Sequence, residues 1–436
     1  MPAFRETLLD AANQAQALDA TDRLVAAALA NNRGLFSSLG VVDTEKVAIL
    51  EAVLDTMPPD DSNERALLLA TLCNELIYGR PLDERQALAD EAKNMARRLS
   101  DPATTVQVLT LVEQPLEAPP TLDERVADTT EALALAEVLE DPIRLYFAAL
   151  YRRISAMQTG DFGHSTRCLE LMQSLTEKLR QPILMWITKF HEAAEALVVG
   201  DHGQAEQLTT EALQIGTDCG QPDAVSFYGS QMVIVRHQQG RLGEFLPVIA
   251  SVATEMSAMP AFMGAVAAAH LDAGEEHEAL ALLEGAAADG FTSLPMDIGW
   301  LDGVTGYAEV AIELHVVNPA ALLLDLLASY HDQVGYNGLM PLEPVAHYLG
   351  GLASVLGRWE ESEAYFVEST GLNNKVGATF SSARTNLSWG RMLGRRQAPG
   401  DTVKARDLLT MAHTTATAHG YGGVERLAVA ALQRLD

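Results

Sequence analysis

Five X-Pro steps recur along the chain at Asp101-Pro102, Asp141-Pro142, Gln181-Pro182, Gln221-Pro222 and Met259-Pro260, spaced by 40, 40, 40 and 38 residues. Proline suits the first turn of a helix, where its missing N–H leaves no bond unmade, and it drives the preceding residue out of the helical region. Each step predicts a helix start. A second mark, a glycine before a charged residue, falls at Gly160-Asp161, Gly200-Asp201, Gly240-Arg241, Gly274-Glu275, Gly357-Arg358 and Gly400-Asp401. Glycine takes the left-handed conformation that ends a helix, and the polar residue caps the next one. A unit repeated in this way buries its apolar face only against its neighbours, so the chain must stack.

The predicted unit is helix A, tight turn, helix B, in about 40 residues, longer than the roughly 34 of an ordinary tetratricopeptide repeat. Small residues fall where the two helices must approach, at Ser165, Ala205, Ala279, Ser362 and Ala405. Large ones follow a turn later at Leu169, Leu283, Phe366 and Leu409. Thr209 and Phe245 depart from the pattern, which predicts less regular packing for those two pairs. The segment GGLASVLGRWEESEAYFVES comes nearest the tetratricopeptide pattern, with Gly350, Gly357, Trp359, Ser362 and Phe366 at the expected offsets. The same phase places pairs at 62–100 and 102–139, and one degenerate pair turning near Asn318-Pro319 in the long gap between Gly274 and Gly357. The expected fold is all-α, a right-handed tetratricopeptide-like superhelix of about ten hairpins forming a single domain over 1–436. The loop EQPLEAPPTLDE breaks the regularity and marks the one sub-boundary, at 113–121, if the chain divides at all.

Composition removes several classes of function. A net charge of −29 repels nucleic acid and anionic lipid. Cys73, Cys168 and Cys219 are odd in number and far apart, which reads as reduced thiols in the cytosol. The N-terminus lacks the pattern of an export signal and no apolar run reaches the roughly 18 residues of a membrane span, so a cytoplasmic protein is expected.

Several stretches resemble the helical carboxy-terminal region of large, mostly actinobacterial ATPase regulators related to the maltose-regulon activator, the signal-transduction ATPases with numerous domains. They are FRETLLDAANQAQAL and ALANNRG, QPDAVSFYGSQ and RHQQGRL, and YLGGLASVLGRWEESEAYF and ARTNLSWGRMLGRRQAPGD. The resemblance covers nearly the whole chain and rests on their order and spacing. It implies a superhelix that receives an activating signal for an NTP-hydrolysing domain, in some members linked to a cyclase or kinase domain or a helix-turn-helix. This sequence has no GxxxxGK[ST] phosphate loop, no cyclase carboxylate pattern and no DNA-reading helix after Gly420. It is then either the sensor half of such a regulator or a stand-alone adaptor.

Motifs that suggest chemistry have simpler readings beside them. Asp60, Asp61 and Glu64 have the spacing of a magnesium-diphosphate site, but following Pro58-Pro59 they read as helix-capping carboxylates. His270 and His277 lie among Glu275, Glu276 and Glu278, but Gly274 separates them onto different helices and no full ligand set can be counted. No nucleophile elbow or dinucleotide loop is present, so no catalysis, cofactor or metal is expected.

Counting back from the turn glycines brings Phe147, Phe190, Phe227, His347 and Arg384 to the inward face of the helix A elements. There they form either a ligand groove, aromatic with ionisable groups at one end and suited to a peptide or a small anionic or sugar molecule, or ordinary packing. Arg33, in ANNRG, is a further groove candidate if it does not simply belong to a helix terminus closed by Gly34. The expected function is a non-catalytic sensor or scaffold of a signalling or transcriptional regulator, binding a protein segment, a peptide or a small-molecule inducer. A stand-alone adaptor is the alternative, and a helical-barrel enzyme with acidic residues converging in one deep pocket is the third reading.

Overall fold

The computed structural model describes residues 2–31, 40–255 and 259–435. Among them it is all-α, with 22 helices in sequential hairpins and one two-stranded hairpin of β-structure. Backbone contacts divide the chain into two compact units, Met1–Ser155 with Ser165–Leu179 and Pro295–Ile298, and Ala156–His164 with Arg180–Leu294 and Gly299–Asp436.

The helices in order are α1 (Pro2–Ala17), α2 (Thr21–Ala30), α3 (Thr44–Thr56), α4 (Asn63–Glu75), α5 (Leu82–Leu99), α6 (Pro102–Val112), α7 (Leu122–Val138), α8 (Pro142–Gln158) and α9 (Phe162–Leu179). Then come α10 (Pro182–Val199), α11 (His202–Asp218), α12 (Ala224–Gln239), α13 (Leu246–Glu255), α14 (Phe262–Asp272), α15 (Glu276–Ala287), α16 (Trp300–Glu313) and α17 (Val317–Leu327). Strands β1 (Val334–Tyr336) and β2 (Pro341–Pro344) precede α18 (Val345–Val355), α19 (Trp359–Val376), α20 (Thr379–Arg396), α21 (Asp401–His419) and α22 (Gly422–Leu435).

The glycines end helices as the sequence predicts, but the residue after them caps the next helix through its side chain only at Asp161 and Asp201; Arg241, Glu275 and Arg358 make no such bond, and Gly400 itself holds the cap position of α21. Pro102, Pro142 and Pro182 each open a helix, whereas after Pro222 and Pro260 the helix begins two residues later. Every marked glycine has positive φ, from 69° at Gly240 to 90° at Gly400. Two residues before Pro102, Pro142, Pro182 and Pro222 the chain is again left-handed, by glycine at Gly220 but by Ser100, Glu140 and Arg180 at the other three. The small positions Ser165, Ala205, Ala279, Ser362 and Ala405 are all 0% exposed, and the large residues after them are buried. At the most regular hairpin Ser362 Oγ donates to Gly350 O at 2.7 Å, and a Cβ on Gly350 would press into the Phe366 ring at 2.7 Å. Helix contact at that distance needs the small pair.

Of the two irregular positions, Phe245 ends a short 3-10 turn, Leu242–Phe245, ahead of α13. Thr209 remains in a regular helix, buried, with its hydroxyl donating to Gln231 Oε1 at 3.0 Å.

In the first unit the loop 113–121 is two buried 3-10 turns, Gln114–Leu116 and Pro119–Thr121. Arg85 donates to Pro115 O and, at 2.5 Å, to Met296 O, while Arg125 pairs with Glu113 at 2.9 Å. Burial pushes the Glu113 carboxyl up to about 7 against the pull of Arg125.

The second unit departs from simple serial stacking. Its last helix, α22, packs on α12 as well as on α20 and α21. Tyr421 Oη donates to Gly200 O at 2.8 Å, and Thr379 Oγ1 donates to Val199 O at 2.8 Å. A Cβ on Gly240 would fall within the backbone of Gly423, so the late hairpins close directly onto the early ones.

Candidate functional site

The two-stranded hairpin, the one piece of β-structure among the described residues, builds the site. Asn337-Gly338 supplies the turn between β1 and β2: Gly338 has φ +87°, and Asn337 Oδ1 accepts from Leu339 N at 3.1 Å and Met340 N at 2.9 Å. Asn337 Nδ2 donates to Asp302 Oδ2 at 2.8 Å and Gln158 Nε2 to Tyr336 O at 2.5 Å, which pin the hairpin to α16 and to the end of α8. Gly264, Gly303 and Gly306 let α14 and α16 touch backbone to backbone: a Cβ on Gly306 would lie 2.5 Å from Gly264 O.

Between this hairpin and α10, α12, α14, α16 and α20 lies a pocket of about 1050 Å³ including its open mouth. All its lining residues belong to the second unit. Leu197, Val233, Ile234, Met340, Leu342 and Phe380 supply apolar wall. Asp302, Glu309 and Glu343 supply three carboxylates, and neither lysine nor arginine lines it.

Behind the wall stands Arg384. Its guanidinium bridges Glu309 and, at 2.9 Å, Glu343 Oε1, and it donates at 2.9 Å to His237 Nε2. Tyr348 Oη donates to Glu343 Oε2 at 2.7 Å, and Arg384 lies over the Phe380 ring at 5.9 Å. Burial, the largest influence, would raise the Glu343 carboxyl, but the Arg384 charge, the two neighbouring histidines and the Tyr348 hydrogen bond together outweigh it and hold the group well below the usual range. Burial, and then the same charge, press His347 down to about 3, so its imidazole is neutral; Nδ1 meets Thr385 Oγ1 at 3.1 Å. Tyr348 is raised by burial and by its carboxylate neighbours.

One polar atom in the wall has no partner. Gln238 is 3% exposed, and its Nε2 donates to Leu197 O at 2.8 Å, which fixes the amide's orientation. Its Oε1 is buried without a hydrogen bond.

The structure sorts the sequence candidates into separate places. Phe190 meets Phe227 and Trp186 edge-on, and Phe227 lies tilted against Trp186, with ring centroids 5.0–5.2 Å apart, inside the packing of α10 against α12. Phe147, half-buried on α8 in the first unit, meets Tyr146 edge-on at 5.5 Å. His347 and Arg384 come together beside the pocket. With His347 neutral and Arg384 paired to two carboxylates, they do not present the positive charge an anionic ligand needs. Arg33 lies outside the described residues.

The pocket's own carboxylates, Gln238 and the hairpin were not singled out from the sequence, although Asn337-Gly338 between Val334 and Leu342 is a hairpin signal. His270 and His277 stand on α14 and α15, His270 Nδ1 meeting Glu275 Oε2 at 2.7 Å. Among the described residues no group of three or more His, Cys, Asp or Glu stands where it would hold a metal ion. Ser62, not the acidic residues beside it, caps α4, its Oγ accepting from Arg65 N at 3.1 Å; Asp61 pairs with Arg98 at 2.6 Å. No described helix is long and apolar enough to cross a membrane.

These elements define, among the described residues, an all-α protein of sequentially packed helix hairpins. No protein-family profile matches the chain, and neither does any curated protein. Among solved structures it is similar to one described as the "APC/C hetero-tetramer Cut9-Hcn1", at 12% identity over 99% of this chain and 86% of that one, TM-score 0.47. It is also similar to Ton1535 from Thermococcus onnurineus NA1, at 14% identity over 90% and 94% of the two chains, TM-score 0.29. A circular tandem repeat protein with novel repeat topology aligns at 14% identity over 99% and 94%, TM-score 0.13. At such scores the class rests on the helix packing itself.

Proposed function

We propose that the chain is the signal-receiving part of a regulator, a non-catalytic helical-repeat region whose pocket takes a small ligand or a partner's segment. The observation that carries this reading is the interruption of the repeat by the β1–β2 hairpin, which builds one wall of a pocket while the surrounding helices stay regular. Insertions into a repeat array are where binding groups gather, because the array's own positions are committed to stacking. The sequence resemblance to the sensor regions of ATPase regulators supports a signalling context, and the helical-repeat architecture supports protein partners.

The test is a thermal-shift screen of small metabolites and short peptides, joined to partner capture, on the intact chain and on Ala268→Phe. Ala268 is a half-buried pocket residue, and a phenyl ring there fills the space. The reading expects stabilisation or capture that Ala268→Phe removes; no effect of any compound or partner overturns it.

A helical-barrel enzyme has one observation in its favour, the three carboxylates in one pocket. General acid catalysis by such a pair needs one carboxyl held protonated near neutral pH. Glu343 is shifted the opposite way.

A further inference from the structure

The pocket is asymmetric in charge and in unmet hydrogen bonding, and the two asymmetries point the same way. Asp302, Glu309 and Glu343 face one cavity whose described lining holds no lysine or arginine, and Arg384 behind it is already committed to Glu309, Glu343 and His237. Three carboxylates and one guanidinium leave the region acidic. An anion entering would meet net repulsion, and a cation would find complementary charge in a partly desolvated site where it counts for more than in water.

The second asymmetry is independent of charge. Because Gln238 Nε2 is fixed on Leu197 O, the unsatisfied atom is the carbonyl oxygen and not the amide nitrogen. A buried acceptor without a partner carries a desolvation cost that a ligand N–H or O–H would relieve. Most of the remaining wall is apolar and the volume suits a molecule of modest size.

From this we propose that the pocket binds a small amphipathic amine in its protonated form. Its apolar body lies among Leu197, Val233, Met340, Leu342 and Phe380, its charge is balanced by the Glu309 side of the cavity, and its N–H donors include one for Gln238 Oε1. The assignment rests on the reading of this pocket as the receiving site and names the chemistry it receives.

Calorimetric titration of the intact chain at neutral pH with n-octylammonium, octan-1-ol and octanoate compares three heads on one apolar tail. The ammonium is expected to bind about tenfold or more tightly than either of the others, a difference of one decade in Kd. Glu309→Gln, which keeps an acceptor for Arg384, is expected to cut ammonium binding about tenfold and leave octanol unchanged. Gln238→Met, which removes the orphan acceptor at similar volume, weakens the ammonium and the alcohol alike, and Ala268→Phe abolishes both. Tryptophan fluorescence of each variant checks that the second unit is folded. Equal or tighter binding of octanoate or octanol overturns the amine assignment while leaving a receiving pocket in place. If none of the three binds, the assignment falls; if Ala268→Phe also changes nothing in the metabolite, peptide and partner screen, the receiving site falls with it.

Discussion

Replacing Arg384 by methionine removes the cation that Glu309 and Glu343 share in a largely buried cluster and leaves the two carboxylates behind. The Glu343 side chain is 5% exposed and that of Glu309 15%, so water cannot fully replace the guanidinium at Glu343. Breaking a buried ion pair by deleting one partner costs about 3–5 kcal/mol, because the surviving charge is left uncompensated. Glu343 keeps only the Tyr348 hydroxyl. All four tryptophans, Trp186, Trp300, Trp359 and Trp389, belong to the second unit. Tryptophan fluorescence during urea unfolding therefore isolates this unit, whereas far-ultraviolet dichroism reports both. Arg384→Met is expected to lower the fluorescence-detected unfolding free energy by about 3–5 kcal/mol. Adding Glu309→Gln and Glu343→Gln should restore more than half of the loss, since the carboxylates no longer need a counter-charge. A comparison is Arg391→Met, whose partner Glu313 is 30% exposed; it should cost under about 1 kcal/mol. A loss below about 1 kcal/mol for Arg384→Met, or a triple variant as unstable as the single one, refutes the electrostatic argument and assigns the effect to packing against Phe380.

Three further outcomes follow from the same geometry. Gly240→Ala forces a side chain into the left-handed region and into the Gly423 backbone, so it should cost well over the roughly 1–2 kcal/mol of the conformation alone and expose α22 to limited proteolysis. Glu140→Gly, at an exposed helix end with φ +52°, should stabilise the first unit by about 0.5–1 kcal/mol in dichroism-detected melting, and Glu140→Val should do the reverse. His347, surrounded by Arg384, Glu343 and His237, has a folded value of about 3 against an ordinary 6.5. The unfolded chain takes up its proton first, so the stability it contributes is present above pH 6.5 and is lost as pH falls toward 3. Proton uptake on unfolding at pH 5 should drop by about one in His347→Gln, and an unchanged uptake would contradict a neutral His347.

The repeat was legible because its signals are local and steric. A proline cannot sit inside a helix and a left-handed residue prefers glycine, so 40-residue punctuation and the small positions from Ser165 to Ala405 report the hairpins directly. The site was harder to see because it is assembled across sequence distance. Arg384 meets Glu309 75 residues away and His237 147 away, and no local pattern links them. Counting offsets did bring His347 and Arg384 together beside the pocket, since both occupy core-facing turns of their helices. The same counting placed Phe190 and Phe227 beside Trp186, because aromatic residues on an inner face satisfy packing before they satisfy ligands. Left-handed Ser100, Glu140 and Arg180 went unread for the opposite reason: their side chains give no hint of the backbone they adopt.

The contact of Tyr421 with Gly200 spans 221 residues, and that of Arg426 with Gly240 spans 186. An open array frays from its ends and can zip up from any point, since each repeat answers only to its neighbours. Joining first and last hairpins removes those free ends. The second unit should then exchange its amide protons as one body, α22 no faster than α12. It should also fold more slowly than an open array of equal length, because the loop-closure entropy of a distant pairing must be met before the contact forms.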